Sequence, residues 1–291
     1  MALKIERMEI DDAGANPKKL AESIVKQLPP GTQAVPVREI AKAIDIYEIR
    51  EAVLDGLEGG LIVPENKANG AILVHADRPE TRKRYTIAHE IGHYVNPNHR
   101  AGSPEGFRCS RKDMAIHSAK AGDRHAKMEA EANLFAAELL MPDSYVKSFM
   151  RRRVGANLDH VIAMAEWFEV SKEAAARRYI SKLETPAAIV FSCNGHIRYI
   201  QPNSTFPRMS LWNGAPVPDG SLSATSRAAI GTVTDTVEIQ GHIWLERSAG
   251  LSLGEQTVAQ QNGYRMTLLT VEQLEADGEE EEENWQAPRF R

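Results

Sequence analysis

The sequence has little cysteine, no long apolar run and no excess of charge of either sign. Two cysteines among 291 residues, Cys109 and Cys193, exclude a disulfide framework and leave no cysteine-based zinc motif. No stretch approaches the roughly eighteen consecutive apolar residues of a membrane span, and residues 1–7 show neither the apolar core nor the cleavage pattern of a secretory leader. A cytoplasmic location with no membrane partner is the expectation. Lys and Arg number 35 against 40 Asp and Glu, a net charge of −5, which argues against a protein that coats nucleic acid but leaves room for a local basic patch. With 42% hydrophobic and 26% charged residues the chain reads as ordinary globular protein, and its length suits two or three domains.

What is present is concentrated in Thr86–Tyr94, which contains His89-Glu90-Ile91-Gly92-His93. Residues four apart lie on one face of a helix, so His89 and His93 can point their imidazoles at one ion. Glu90 is offset enough to miss the ion and close enough to reach water bound to it. Ile87 and Ile91 supply an apolar i, i+4 pair, and no proline falls between Arg82 and Val95. A surface helix carrying a histidine pair is the bland alternative.

Upstream, residues 1–15 read as polar and frayed. Asn16-Pro17 opens a helix with apolar positions Leu20, Ile24, Val25 and Leu28, and a second short helix follows Pro36. Asp45–Ile49, Gly59–Val63 and Gly70–His75 read as strands, the last two joined as a hairpin at Asn69-Gly70. Gly70–His75 is the candidate edge on which an extended peptide would add a strand. Arg82-Lys83-Arg84 reads as a solvated basic face. The Gly- and Pro-punctuated stretch 96–127 reads as a loop lid with His99, His117 and His125, and Cys109 in it as an ordinary loop cysteine.

A catalytic zinc needs a third protein ligand and an open fourth position. His99 follows His93 at the metzincin spacing, with Asn96 where those enzymes have glycine. Glu131 stands near the start of an Ala-, Leu- and Glu-rich helix closed by Pro142, whose buried side is expected from Leu134, Phe135, Leu139 and Leu140. Glu129 is a weaker candidate at the same helix start. Asn133 and Glu138 are candidates to orient the histidines, and Tyr85, Tyr94 or His99 to stabilise an oxyanion.

Thr86–His93 together with Glu131-Ala132-Asn133-Leu134-Phe135-Ala136 and Leu139-Leu140-Met141-Pro142 resembles the ImmA/IrrE family of bacterial metallopeptidases, over roughly residues 15–185. The resemblance implies a metal held by two histidines and a glutamate, here His89, His93 and Glu131, with Glu90 as the catalytic carboxylate. Two histidines and a carboxylate suit zinc or manganese, and affinity alone favours zinc as the cofactor. The resemblance also implies a protein substrate, a helix-turn-helix transcriptional repressor cleaved in a stress or mobile-element response. The competing function is a DNA- or protein-binding transcriptional regulator with a vestigial peptidase site.

The fold class expected is α+β, with a zincin-like metallopeptidase domain at 1–150. Residues 151–185 form a helix-turn-helix-like segment with a turn at Glu169–Ser171. DNA docking through Arg177, Arg178 and Lys182 is not expected there, and the pair reads instead as packing under the core. Residues 186–275 read as a mixed, mainly β sensory or interaction domain, with a hairpin around Cys193–Gly195 and strand-like runs at Val233–Ile239, Ile243–Glu246 and Tyr264–Leu269. Residues 276–291 read as an acidic disordered tail.

Overall fold

The computed structural model describes residues 3–101, 106–116, 118–120, 122–248 and 250–272; the acidic run and His117 lie outside them. The chain divides into two compact units, one of residues 1–155 with His160–Tyr179, the other of Ala156–Asp159 with the residues from Ile180 onward. The helical pair thus belongs to the first unit. No helix among the described residues is long and apolar enough to cross a membrane.

In the first unit, α1 (Arg7–Asp12) forms where a frayed end was expected, because Ile10 is fully buried and anchors an otherwise polar turn. α2 (Pro17–Lys26) starts where Asn16 Oδ1 accepts the backbone N–H of Lys18 and Lys19, with Pro17 at its first position. α3 spans Val37–Ala43. A four-stranded sheet follows in the order β1-β3-β2-β4, built from β1 (Ile46–Ala52), β2 (Leu57–Ile62), β3 (Gly70–His75) and β4 (Phe107–Ser110). β3 pairs parallel with β1 and antiparallel with β2, so the Gly70–His75 strand is internal and cannot offer an edge. The edge roles fall to β1 and to β4, a strand inside the presumed lid.

α4 (Glu80–Val95) carries the His-Glu motif and packs on α3, α5 (Arg124–Leu140) and strands β2 and β3. The α4–α5 approach is set by Gly92: a Cβ there would sit 3.0 Å from the Phe135 ring. Lys67 closes the end of α4, its Nζ donating to His93 O at 2.6 Å and Asn96 O at 2.8 Å, a cation at the negative end of the helix. The basic run is not a solvated face. Arg82 pairs with the buried Glu58, Lys83 with Glu51, and Arg84 with Glu169 and the carbonyl of Val35. α6 (Asp143–Met150), α7 (Leu158–Phe168) and α8 (Lys172–Ile180) complete the unit, and Arg178 on α8 is held by Glu138 and Met141 O of the α5 end.

The second unit is an antiparallel five-stranded sheet in the order β6-β5-β9-β8-β7. Its strands are β5 (Ala187–Cys193), β6 (His196–Pro202), β7 (Val237–Gln240), β8 (Ser252–Ala259) and β9 (Tyr264–Glu272), with a short helix α9 (Leu222–Thr225). Asn194 and Gly195 both take positive φ, 49° and 75°, in the two-residue turn that joins β5 to β6. Ile243–Glu246 is not a strand: Gly241–Ile243 forms a 3-10 turn that buries Trp244 against Val190, Leu253 and Leu269.

Candidate metal centre

The site forms where α4 crosses α5. His89, Glu90 and His93 are fully buried, and Glu129 is 2% exposed. Glu129 Oε2 lies 3.2 Å from His89 Nε2, Glu129 Oε1 lies 3.5 Å from His93 Nε2, and the two Nε2 atoms are 3.1 Å apart. The Cys109 Sγ joins them at 3.9 Å from His93 Nε2, and the donor atoms of these four residues all lie within 4.8 Å of one another.

Glu131, the expected third ligand, is not in this cluster. Its carboxylate accepts from His99 Nε2 at 3.0 Å and its side chain is 26% exposed. The reason is helix phase. At about 100° per residue, Glu129 and Asn133 share one face of α5, while Glu131 lies nearly half a turn away from both. Leu134, expected inside, is 39% exposed for the same reason. Glu129, the weaker sequence candidate, faces the histidines.

The surroundings fix which nitrogens carry lone pairs. Asn133 Nδ2 donates to Asp113 O at 2.9 Å and Ile116 O at 2.8 Å, so its Oδ1 must face the other way. That oxygen accepts from Tyr85 Oη at 2.8 Å and from His89 Nδ1–H at 2.9 Å, which leaves His89 Nε2 bare. On the other histidine, His99 Nε2–H donates to Glu131 and His99 Nδ1 accepts from His93 Nδ1–H at 3.0 Å, which leaves His93 Nε2 bare. His99 and Glu131, the two rival third ligands in sequence, are therefore a relay that orients His93. Glu138 takes no part; it binds Arg178 and Lys18.

Two bare nitrogens and a carboxylate thus converge with no proton between them, an arrangement that a cation relieves and nothing else in the cluster does. Burial pushes His93 down to about 3, so its imidazole is neutral and able to ligate. Burial would raise Glu129; only protons on His89 and His93 hold its carboxyl low, and with both Nε2 atoms bare a bound cation has to take that part. Glu90 meets the Cys109 thiol and finds no other partner among the described residues, and burial raises it to about 7. Burial also raises the Cys109 thiol, and Tyr85 to about 12, so both stay protonated without a metal. The donor set of two imidazoles and a carboxylate suits zinc and manganese alike.

Residues 55–179 match the peptidase M78 family, described as the IrrE N-terminal-like domain. The chain is 30% identical over 140 residues to the radiation response metalloprotease IrrE of Deinococcus radiodurans, covering 47% of this chain and 37% of that protein. It is 28% identical over 129 residues to the metallopeptidase ImmA of Bacillus subtilis, covering 41% of this chain and 66% of that one. The chain therefore spans less than two thirds of either relative. A solved Mycobacterium tuberculosis transcriptional regulator superposes with a TM-score of 0.52 at 12% identity, over 91% of this chain and 81% of its own, a likeness of fold alone. With the α+β architecture and the His-Glu-x-x-His helix at its centre, residues 55–179 form a domain similar to the IrrE N-terminal-like domain of the peptidase M78 family.

Proposed function

We propose that the protein is a zinc-dependent endopeptidase in which His89, His93 and Glu129 hold the metal and Glu90 is the general base. The observation that carries the reading is the convergence of two nitrogens stripped of protons by their partners, Asn133 and His99, on the Glu129 carboxylate, with the buried Glu90 beside them. A zinc ion held by His89, His93 and Glu129 would polarise a peptide carbonyl and lower the pKa of its bound water toward ~7. Glu90 accepts a proton and returns it to the departing amine, a task suited to a carboxyl already raised to about 7 by burial. Asn133 and the His99–Glu131 pair hold the two imidazoles in the ligating tautomer throughout.

The substrate class follows from the resemblance rather than the geometry: a helix-turn-helix repressor, cut in a stress or mobile-element response in the cytoplasm. The engagement of Arg178 by Glu138 supports a helical pair that braces the catalytic unit over one that docks on DNA. The test is to incubate metal-loaded protein with helix-turn-helix repressors from the same genome and to follow products by mass spectrometry. Cleavage by wild type, lost in Glu90→Gln with metal still bound at one equivalent, is the expected result. Equal cleavage by Glu90→Gln removes the assignment.

A further inference from the structure

Cys109 lies in the same cluster as His89, His93 and Glu129. We propose that Cys109 is the fourth protein ligand of the metal, so that the metal-loaded resting protein has a closed coordination shell and is latent. The proposal rests on the assignment of His89, His93 and Glu129.

Geometry brings the thiol there. β4 pairs antiparallel with β2, with Cys109 opposite Gly59 and Phe107 opposite Leu61. Phe107 and Cys109 are two apart on a strand and share a face, which is the face turned to α4. Phe107 stacks on the His93 ring at 4.5 Å, and Cys109, fully buried, brings Sγ to 3.9 Å from His93 Nε2. Tetrahedral zinc with bonds of ~2.1 Å to nitrogen and ~2.3 Å to sulfur separates such a pair by ~3.6 Å, and two nitrogens by ~3.4 Å. The observed 3.9 Å and 3.1 Å are near those edges without rearrangement. A shift of β4 by one residue would turn Cys109 to the opposite face, so the register on β2 is what delivers it.

The second observation is Glu90. A purely structural four-ligand site needs no further carboxylate, yet Glu90 is fully buried beside the cluster, and the Cys109 thiol is the group its carboxyl meets. A base without work in the closed state is what a covered hydrolytic site would contain. On coordination the Cys109 thiol proton is released and a sulfur–metal bond forms. On opening that bond breaks, water takes the position and the sulfur regains a proton.

The experiment uses the full chain loaded with cobalt(II) in place of zinc. Wild type and Cys193→Ala should both show a near-ultraviolet sulfur-to-cobalt charge-transfer band, and Cys109→Ala and Cys109→Ser should lack it while binding one equivalent. Acetohydroxamate should leave the visible bands of wild type unchanged and shift those of the two Cys109 variants. One cobalt bound through His89, shown by its loss in His89→Ala, with no sulfur band in wild type, overturns the proposal and leaves the metal-site reading intact. No cobalt binding at all overturns the reading itself. A sulfur band with acetohydroxamate still bound by wild type overturns latency. Because Cys193→Ala leaves the site untouched, the wild-type and Cys193→Ala spectra decide the ligand question even if the Cys109 variants fold poorly.

Discussion

Asn133 Oδ1 accepts the Nδ1–H of His89 at 2.9 Å, and the same side chain spends its two N–H groups on the carbonyls of Asp113 and Ile116. Every hydrogen-bonding position of this amide is used, so the His89 tautomer is dictated from outside the metal site. Removing such an orienting partner commonly weakens metal binding by 10–100-fold. Asn133→Ala should do so, read by competition against a chromophoric zinc chelator, while far-ultraviolet circular dichroism stays that of wild type. Asn133→Asp should bind metal within about tenfold of wild type, because a carboxylate still accepts from His89. Equal loss in both variants would mean that Asn133 acts only through packing.

Glu129 and Glu131 are two residues apart and differ in kind of contact. Glu129→Ala removes a donor from the cluster and should abolish measurable zinc binding at micromolar protein. Glu131→Ala removes the acceptor of His99 Nε2–H and should cost on the order of tenfold, as should His99→Ala. Since both act through His93, the double variant should be no worse than either single one, within about 0.5 kcal/mol. Additive losses would show that Glu131 acts on the metal directly.

The His89–His93 spacing fixed the metal-facing side of α4, and the composition of Met128–Met141 marked α5 as a helix. Composition does not set helix phase, however, and Glu131, expected from the resemblance, pairs with His99 instead. The phase was nonetheless available: if Asn133 orients a histidine, the acid one turn earlier, Glu129, shares its face. β4 was not legible, because four residues among Gly and Pro become a strand only through pairing with the distant β2. β8 was missed because Glu255, Gln256 and Thr257 break any apolar alternation, although all three are buried. Their burial is supported by partners that only the folded chain supplies, such as the N–H groups of Leu222 and Ser223 on Glu255.

The metal-free protein should be less stable at high pH because of Glu90. Its carboxyl is raised by burial to about 7 from the ordinary 4.5, so the folded state prefers the proton. That preference is fully present below pH ~4.5 and is lost as pH rises through about 7, an effect of about 3 kcal/mol by linkage. Glu90→Gln keeps the neutral form at every pH. In chelator, thermal melts of the two proteins should coincide near pH 4.5, with the variant melting several degrees higher at pH 8. The lowered His93 acts on both proteins alike and cancels in the difference. A melting difference that does not change with pH would mean that Glu90 is not buried as a lone carboxyl.

Glu255 tests the second unit in the same way. It is fully buried and accepts the N–H of Leu222 at 3.0 Å, the N–H of Ser223 at 2.8 Å and Trp244 Nε1–H at 3.3 Å, tying α9 and the Trp244 turn to β8. Glu255→Ala strands two buried donors and a part-buried one, the buried ones costing about 1–3 kcal/mol each when left unpaired, and opens a cavity as well. The expected outcome is loss of the cooperative melt of residues from Ile180 onward, seen as rapid amide exchange in β8 and β9. Zinc affinity should be unchanged, because every donor at the metal centre comes from the first unit. Protection of β8 and β9 at wild-type levels would show that the carboxylate is dispensable and that the apolar cluster around Trp244 holds the sheet alone.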